Sequence, residues 1–392
     1  FQYTSFCWHC RLHKRCPFST KIMRSLLIPS LAFVWLCQLG LSDALHLQMT
    51  SSSRVAVVTG ASRGIGRGIA MGLGSEGYTV YCLGRSSRTM SEAPADQRPV
   101  ADGLDVTVES AAEEITRRGG KGVGMPCDLT QDGVLEPLLE KIFEEEGRLD
   151  VLVCAAYTTP RGESLRGEFW NQSMKMWDAV NGLGLRQVYA ACRAAAPYMI
   201  ETAKKHSSPP PLICLVSSFG GKSYTFNVAY GIGKAAVDRM AVDMSYQLKK
   251  HGVATTALYP GLVKTEANMQ MLEEGTWAAA SGNLDLESGE TPEFSGRAVA
   301  KLASLDKDTM MERSGNVEVV AELAKEFGFT DLDGSQPASI RSLKYLLPNF
   351  VFPQIEKESG KPLPGFIKDN VPDILLPWST FSSGPPPEAD TR

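Results

Sequence analysis

The chain is short of almost every extreme, and each shortage removes a class of protein. Its 40 basic residues stand against 44 acidic ones, a formal charge of −4, so no basic field exists to hold nucleic acid. Nine cysteines in 392 residues are too sparse for a disulfide scaffold. Cys82, Cys127, Cys154 and Cys214 lie in apolar runs, where a thiol acts as a small buried hydrophobe. The longest apolar run, 26–41, is broken by Pro29 and Gln38 and falls short of the about 20 residues that span a membrane. The tail beyond 335 is rich in Pro, Ser and Gly and has no spanning run either. There is no internal repeat. What is present, 43% apolar and 21% charged residues, is ordinary for a globular protein. The length admits one large α/β domain with extensions.

Met23 is the first methionine, and the segment after it reads as a secretory signal. Basic Arg24 precedes the apolar run, and Ser42-Asp43-Ala44 puts small residues where a signal peptidase reads. Residues 23–44 are thus expected to direct the chain to the secretory pathway or endoplasmic reticulum. A bipartite plastid presequence and a membrane anchor are the alternatives. Residues 1–22 are expected to lie upstream of the natural start. They carry Cys7, Cys10, His13 and Cys16, but no second ligand cluster accompanies them, and no metal is expected.

From Arg54 the pattern becomes regular. An apolar, β-branched run at 55–59 ends in glycine and reads as a buried strand. Further strands are expected at 78–83, 123–127, 149–154, 212–216, 253–258 and 315–320. Helices are expected at 65–76, 105–118, 132–146, 228–250 and 296–305, with 173–203 mainly helical. Alternating, nearly continuous apolar strands predict an α/β, Rossmann-type doubly wound fold, a mostly parallel sheet with helices on both faces. The domain is expected to cover 54–335, and 336–392 forms a C-terminal extension. Residues 84–104 and 266–294 read as polar loops, the second as a flap. Ligands of such sheets bind beyond the carboxyl ends of the strands.

The first strand runs into Thr59-Gly60-Ala61-Ser62-Arg63-Gly64-Ile65-Gly66. Glycines at 60, 64 and 66 permit a tight turn and let the backbone approach a pyrophosphate, at which the next helix aims its amides and dipole. The second strand ends Leu83-Gly84-Arg85, without the carboxylate that usually takes the ribose hydroxyls of NAD. Arg63 and Arg85 suit a 2′-phosphate, which favours NADPH over NADH. Arg85 alone reads equally as a surface arginine. Asp128, after the third strand, reads as an acceptor for the adenine amino group or as a local cap.

Tyr230 and Lys234 are four residues apart in a helical stretch, just beyond Ser217-Ser218. On a helix they share a face. An ammonium beside a phenol lowers its pKa from about 10 and makes a proton donor that works near neutral pH.

Together with Pro260-Gly261-Leu262-Val263-Lys264-Thr265, these residues resemble the short-chain dehydrogenase/reductase family. The resemblance implies that Tyr230 protonates a carbonyl oxygen as hydride arrives. Lys234 lowers its pKa and holds the nicotinamide ribose, and a serine bonds the same oxygen. The family's usual spacing, thirteen residues before the tyrosine, selects Ser217; the strand register from Ile213 selects Ser218, and alternation makes Ser218 the preferred choice. Cofactor contacts are implied for Gly60, Ser62, Arg63, Gly64, Ile65, Gly66, Arg85, Asp128, Leu129 and Ala155. Pro260, Gly261, Val263 and Thr265 are implied to hold the nicotinamide end, with Tyr230 and Lys234. The expected reaction is NADPH-dependent reduction of a ketone or aldehyde. The same fold without turnover, as a dinucleotide sensor or scaffold, is the alternative. Epimerisation of a nucleotide sugar fits less well, because the second strand lacks its acid. Relatives often pair through two long central helices, so a homo-oligomer is expected.

Two positions depart from the family pattern. Asn-Asn-Ala-Gly after the fourth strand is here Cys154-Ala155-Ala156-Tyr157, and Tyr157 is expected to fill part of the space. The usual asparagine seven residues after a tryptophan falls, counted from Trp177, on Gly184. A mid-helix glycine marks a bend that frees a backbone carbonyl. Asn181, one turn earlier, is the candidate substitute. Phe169, Trp170, Phe219, Tyr224 and Phe226 suggest an apolar substrate lining, or equally core packing.

Overall fold

The computed structural model describes residues 53–89, 105–160 and 163–381. The signal-like segment, the Cys/His pattern and most of the 84–104 loop lie outside the described residues. Seven parallel strands form one sheet: β1 (Val55–Thr59), β2 (Thr79–Gly84), β3 (Lys121–Pro126), β4 (Val151–Cys154), β5 (Leu212–Val216), β6 (Ala254–Tyr259) and β7 (Val317–Val319). Their order is β3-β2-β1-β4-β5-β6-β7. The helices are α1 (Gly64–Ser75), α2 (Val108–Arg117), α3 (Leu135–Glu146), α4 (Met174–Asn181), α5 (Gln187–Lys205), α6 (Val228–Leu248), α7 (Glu266–Glu273), α8 (Trp277–Ser281), α9 (Pro292–Ser304), α10 (Lys307–Arg313) and α11 (Val320–Phe327).

Strand alternation sorts the core into two layers. Ala56 and Val58 of β1 join α1, α2, α9 and α11 on one face, whereas Val55 and Val57 join α3, α5 and α6 on the other. Both faces of the sheet are therefore covered, which is why its central strands read as unbroken apolar runs. The strand order reverses between β1 and β4, and the crevice beyond that switch point is where a doubly wound sheet takes its ligand.

Most expected boundaries agree within a few residues, and the exceptions have local causes. β3 begins at Lys121, two residues early, because Gly122 and Gly124 hide its pattern. Those glycines let α2 lie close, since a Cβ on Gly124 would stand 3.1 Å from the Glu109 backbone. α3 starts at Leu135 because Gly133 has φ 76°, a left-handed conformation that interrupts a helix. α9 starts at Pro292 rather than 296; proline suits a first turn, where its missing amide costs nothing. The expected irregular flap contains α7 and α8, with Trp277 buried and its indole donating to the Leu284 carbonyl at 2.7 Å. α4 and α5 meet through a π-turn, Gly182–Arg186.

Residues 336–381 fold back onto the domain. Arg341 makes a bidentate pair with Glu322 at 2.6 and 2.7 Å, and Ser342 donates to Asp373 at 2.6 Å. The chain then reaches Trp378–Phe381, whose rings pack on Phe219 and Tyr259. No helix among the described residues is long and apolar enough to cross a membrane.

Candidate active site

Tyr230 and Lys234 occupy the first two turns of α6, and Asn227 fixes where that helix starts. The Asn227 side-chain oxygen accepts from the Tyr230 amide at 2.8 Å, and its amide donates to the Leu165 carbonyl at 2.8 Å. The cap satisfies an otherwise orphaned helix donor and ties the segment before α4 to α6.

β5 delivers the serines. The Tyr230 hydroxyl donates to Ser218 Oγ at 2.7 Å, and the Gly220 amide donates to the same oxygen at 3.0 Å. A hydroxyl has two acceptor positions and one hydrogen, so Ser218 keeps its hydrogen for another partner. Ser217 faces the other way, as alternation requires. It is buried, and its hydroxyl donates to the Lys234 carbonyl at 3.2 Å. Of the two serines, Ser218 alone bonds the phenol; Ser217 pins the end of β5 to α6. The thirteen-residue spacing points to the wrong side chain because the connecting loop is one residue shorter.

Lys234 is 8% exposed. Its Nζ donates to the Val216 carbonyl at 3.1 Å and stands 5.0 Å from the centre of the Tyr157 ring and 5.8 Å from that of Tyr230. Burial lowers its pKa to about 8, with Asp238 acting in the opposite sense. Burial also raises the Tyr230 phenol, against a lowering contribution from the Ser218 bond. The expectation of a phenol held below its ordinary value is corrected here. The ammonium is engaged by a backbone carbonyl, and desolvation dominates.

The cofactor end is built from close contacts. Gly60 has φ 71°, and a Cβ there would lie 2.7 Å from Ala156 Cα; a Cβ on Gly66 would overlap the Gly60 carbonyl. Only glycine fits both positions. The turn and the N-terminus of α1, with Ile65 in its first turn, together fit the pyrophosphate of a dinucleotide. Ser62 is buried within the turn, and Arg63 stands at the N-cap of α1. Arg85 Nε lies 3.9 Å from Asp128 Oδ1. That carboxylate oxygen also accepts from the Thr130 amide at 3.0 Å and hydroxyl at 2.8 Å, so Asp128 caps its own turn. Leu129 is buried in the core. The Ala155 amide donates to Thr59 Oγ1 at 3.2 Å, as Ala156 does at 3.3 Å.

After β6, the segment Pro260, Gly261, Val263 and Thr265 returns to this turn. Thr265 Cγ2 stands 3.5 Å from where a Cβ of Gly64 would lie. Glu290 is buried against Gly261 and carries the Lys264 amide on its carbonyl at 2.8 Å; burial pushes its carboxyl up to about 8. The Gly64 amide donates to the Glu266 carboxylate at 2.8 Å. A side-chain anion thus sits at the helix N-terminus that the glycine motif presents to a phosphate.

A family model described as enoyl-(acyl carrier protein) reductase matches residues 60–317. Dehydrogenase/reductase SDR family member 1 of Mus musculus is 38% identical over 301 residues, 75% of this chain and 88% of the mouse protein. The chain belongs to the short-chain dehydrogenase/reductase family. It is an NAD(P)-dependent dehydrogenase/reductase. The Homo sapiens protein of the same name is 35% identical over 305 residues, 76% of this chain and 88% of its own. A putative dehydrogenase from Xanthomonas campestris shares the fold at TM-score 0.57 and 22% identity, covering 73% of this chain and 94% of that structure. A 3-oxoacyl-[acyl-carrier protein] reductase from Brucella melitensis, solved with NAD, does so at TM-score 0.55 and 21% identity, covering 69% and 96%.

The departures from the family pattern meet in space. Tyr157 lies against Gly184, so that a Cβ on that glycine would stand 3.0 Å from the ring. Asn181 is buried, donates to the Ala229 carbonyl at 3.3 Å and presses its oxygen on Gly233. Its Nδ2 thus bonds the α6 backbone, while its Oδ1, the atom that would have to replace the missing asparagine's carbonyl, is buried with no hydrogen-bond partner. Phe226, at φ 61°, places its ring 5.2 Å from that of Tyr230. Phe169 and Trp170 are exposed and pair with each other, while Phe219 is taken up by Trp378 and Phe381. Sequence reasoning missed Glu266 and the tail aromatics. An acid in a first helical turn signals that helix's own N-terminus, not contact with another, and the tail has no periodicity to read.

Proposed function

We propose that the chain reduces a carbonyl compound with NADPH and that Tyr230 is the general acid. The observation that carries this reading is the half-buried Tyr230–Ser218 hydrogen bond of 2.7 Å at the end of β5, beside Lys234. A carbonyl oxygen placed between the two hydroxyls accepts from both, a two-donor oxyanion site. The nicotinamide supplies the hydride to the carbonyl carbon. The C=O π pair moves to oxygen, which takes the Tyr230 proton and leaves a phenolate. Ser218 and the Lys234 charge stabilise that phenolate. The raised pKa of Tyr230 keeps the phenol protonated at neutral pH, the form that reduction requires.

NADPH is favoured on charge. β2 ends without a carboxylate, and Arg85 follows it, where a 2′-phosphate makes a charge-assisted pair. The rings of Tyr157 and Phe226 beside Tyr230 support a hydrophobic carbonyl substrate. The signal-like segment 23–44 supports a secretory-pathway location.

The test mixes purified protein with NADPH and a panel of ketones, aldehydes and quinones, and follows nicotinamide absorbance. Tyr230→Phe keeps the ring and deletes the proton; turnover is expected to fall about a hundredfold or more. Cofactor binding with no turnover of any carbonyl rejects the reductase reading. Turnover that survives Tyr230→Phe rejects the role given to Tyr230.

A further inference from the structure

We propose that Tyr157 is a positioning residue for the reduction: its ring face holds the Lys234 ammonium, and the ring keeps its place because residue 184 is glycine. The proposal rests on the reductase reading above.

Tyr157 follows the end of β4, and its backbone is anchored from β1. Thr59 Oγ1 accepts from the amides of the two residues before it, at 3.2 and 3.3 Å. The ring then has three neighbours. Its edge lies on the π-turn, with Cδ2 and Cε2 standing 3.0 and 3.3 Å from where a Gly184 Cβ would be. The Lys234 Nζ lies 5.0 Å from its centroid. The Tyr230 ring meets it edge-on, at 6.1 Å and 86°. One side chain thus joins the helix bend, the lysine and the proposed acid.

A buried ammonium has three donors to satisfy, and the Val216 carbonyl at 3.1 Å takes one. The groups facing Lys234 are few. Tyr230 and Asp238 are on its own helix, Tyr157 comes from the loop after β4, and Val216 from β5. Asp238 is itself bonded to the Tyr259 hydroxyl and lies 4.0 Å from Lys222, so its charge is shared. The Tyr157 ring is nearer than the Tyr230 ring, at 5.0 against 5.8 Å. The negative face of an aromatic ring within about 6 Å stabilises a cation, most strongly where water is excluded.

The seat and the ring depend on each other. A methyl on residue 184 would press the ring aside by a few tenths of an ångström, and a larger side chain would push it off the lysine; without the ring, Lys234 would keep only the carbonyl and the shared carboxylate. An aliphatic residue at 157 fills the space over Gly184 but offers no negative face. That difference separates a positioning role from simple packing.

The experiment measures Lys234 directly and needs no turnover. Cofactor-free protein is acetylated with trace acetic anhydride across pH 6–11, and the Lys234 peptide is quantified by mass spectrometry to give a titration midpoint. Tyr157→Leu is expected to lower the midpoint by about one pH unit, a cation–π contribution to a buried ammonium from a ring that is itself 37% exposed. Tyr157→Phe, which retains the ring, is expected to hold the wild-type midpoint. Gly184→Val, which keeps every atom of Tyr157 but puts a branched side chain where the ring edge lies, is expected to lower it as Leu does. The alkaline limb of kcat/KM for reduction should move with the midpoint. The proposal is overturned if Tyr157→Leu leaves the midpoint unmoved, if Tyr157→Phe shifts it as far as Leu, or if Gly184→Val has no effect. Thermal melts confirm that each variant is folded, and Gly184→Val carries the test should Tyr157→Leu not fold. A wild-type protein that reduces no carbonyl rejects the reductase reading while the labelling result still decides whether Tyr157 holds the lysine.

Discussion

Ser218→Ala and Ser217→Ala test the site most sharply, because the two positions are adjacent and the structure gives them opposite roles. Ser218 Oγ accepts from Tyr230 at 2.7 Å and from the Gly220 amide at 3.0 Å, leaving its hydrogen for a substrate oxygen. Alanine there removes one of two donors to that oxygen, an effect on the order of a hundred- to a thousandfold in kcat, or about 3–4 kcal/mol. It also removes the bond that lowers the Tyr230 pKa, so the phenol becomes a weaker acid still. Ser217 Oγ instead donates to the Lys234 carbonyl at 3.2 Å. Its removal is expected to cost about 1 kcal/mol of stability and to change kcat by no more than about threefold, because its side chain bonds a helix carbonyl outside the Tyr230–Ser218 pair. Steady-state NADPH oxidation, with thermal melts alongside, reads both effects. The reverse ranking, or a Ser218→Ala enzyme within about threefold of wild type, would refute the geometry argued here.

Other outcomes follow from named contacts. Arg85→Ala should weaken NADPH binding about tenfold, the scale of one charge-assisted bond, with NADH binding unchanged; equal loss for both would sink the 2′-phosphate reading. Glu266→Gln should tighten dinucleotide binding about three- to tenfold, because the carboxylate on the Gly64 amide no longer competes with or repels a pyrophosphate. Weaker binding of the Gln variant, by nicotinamide fluorescence titration, would show that Glu266 supports the cofactor instead. The pH dependence has a definite sign. Lys234 is charged below its lowered pKa of about 8 and neutral above it, and Tyr230 is raised, so it stays protonated longer. For reduction, kcat/KM, which reports the free enzyme, should be flat through neutrality and fall through a midpoint near about 8.

Much of this arrangement was legible along the chain. The central strands are apolar because both faces of a parallel sheet are covered, and that burial writes itself into composition. The glycine spacing survives in sequence because three backbones crowd at one turn, where Gly60 and Gly66 admit no Cβ. The Tyr230–Lys234 spacing is visible because helical geometry is local. Even the preferred serine followed from alternation. The misreadings occurred where a residue's partner is distant. β3 was shortened because its glycines answer to α2. α7 and α8 were read as irregular, although Trp277 is buried by contacts no local pattern encodes. The tail carried no period, yet Trp378 and Phe381 close on Phe219, next to Ser218.

The sequence by itself therefore determined the family, the strand–helix alternation and the identities of Tyr230, Lys234 and the glycine turn. These depend on periodicity and on spacing within single elements. Only the tertiary structure decided what surrounds them. It set Lys234 on the Val216 carbonyl and the Tyr157 ring, placed Glu266 on the Gly64 amide and sent the Asn181 amide to the α6 backbone. Each is a contact between segments far apart in the chain, and at Lys234 the burial that comes with it lowers the pKa of the ammonium.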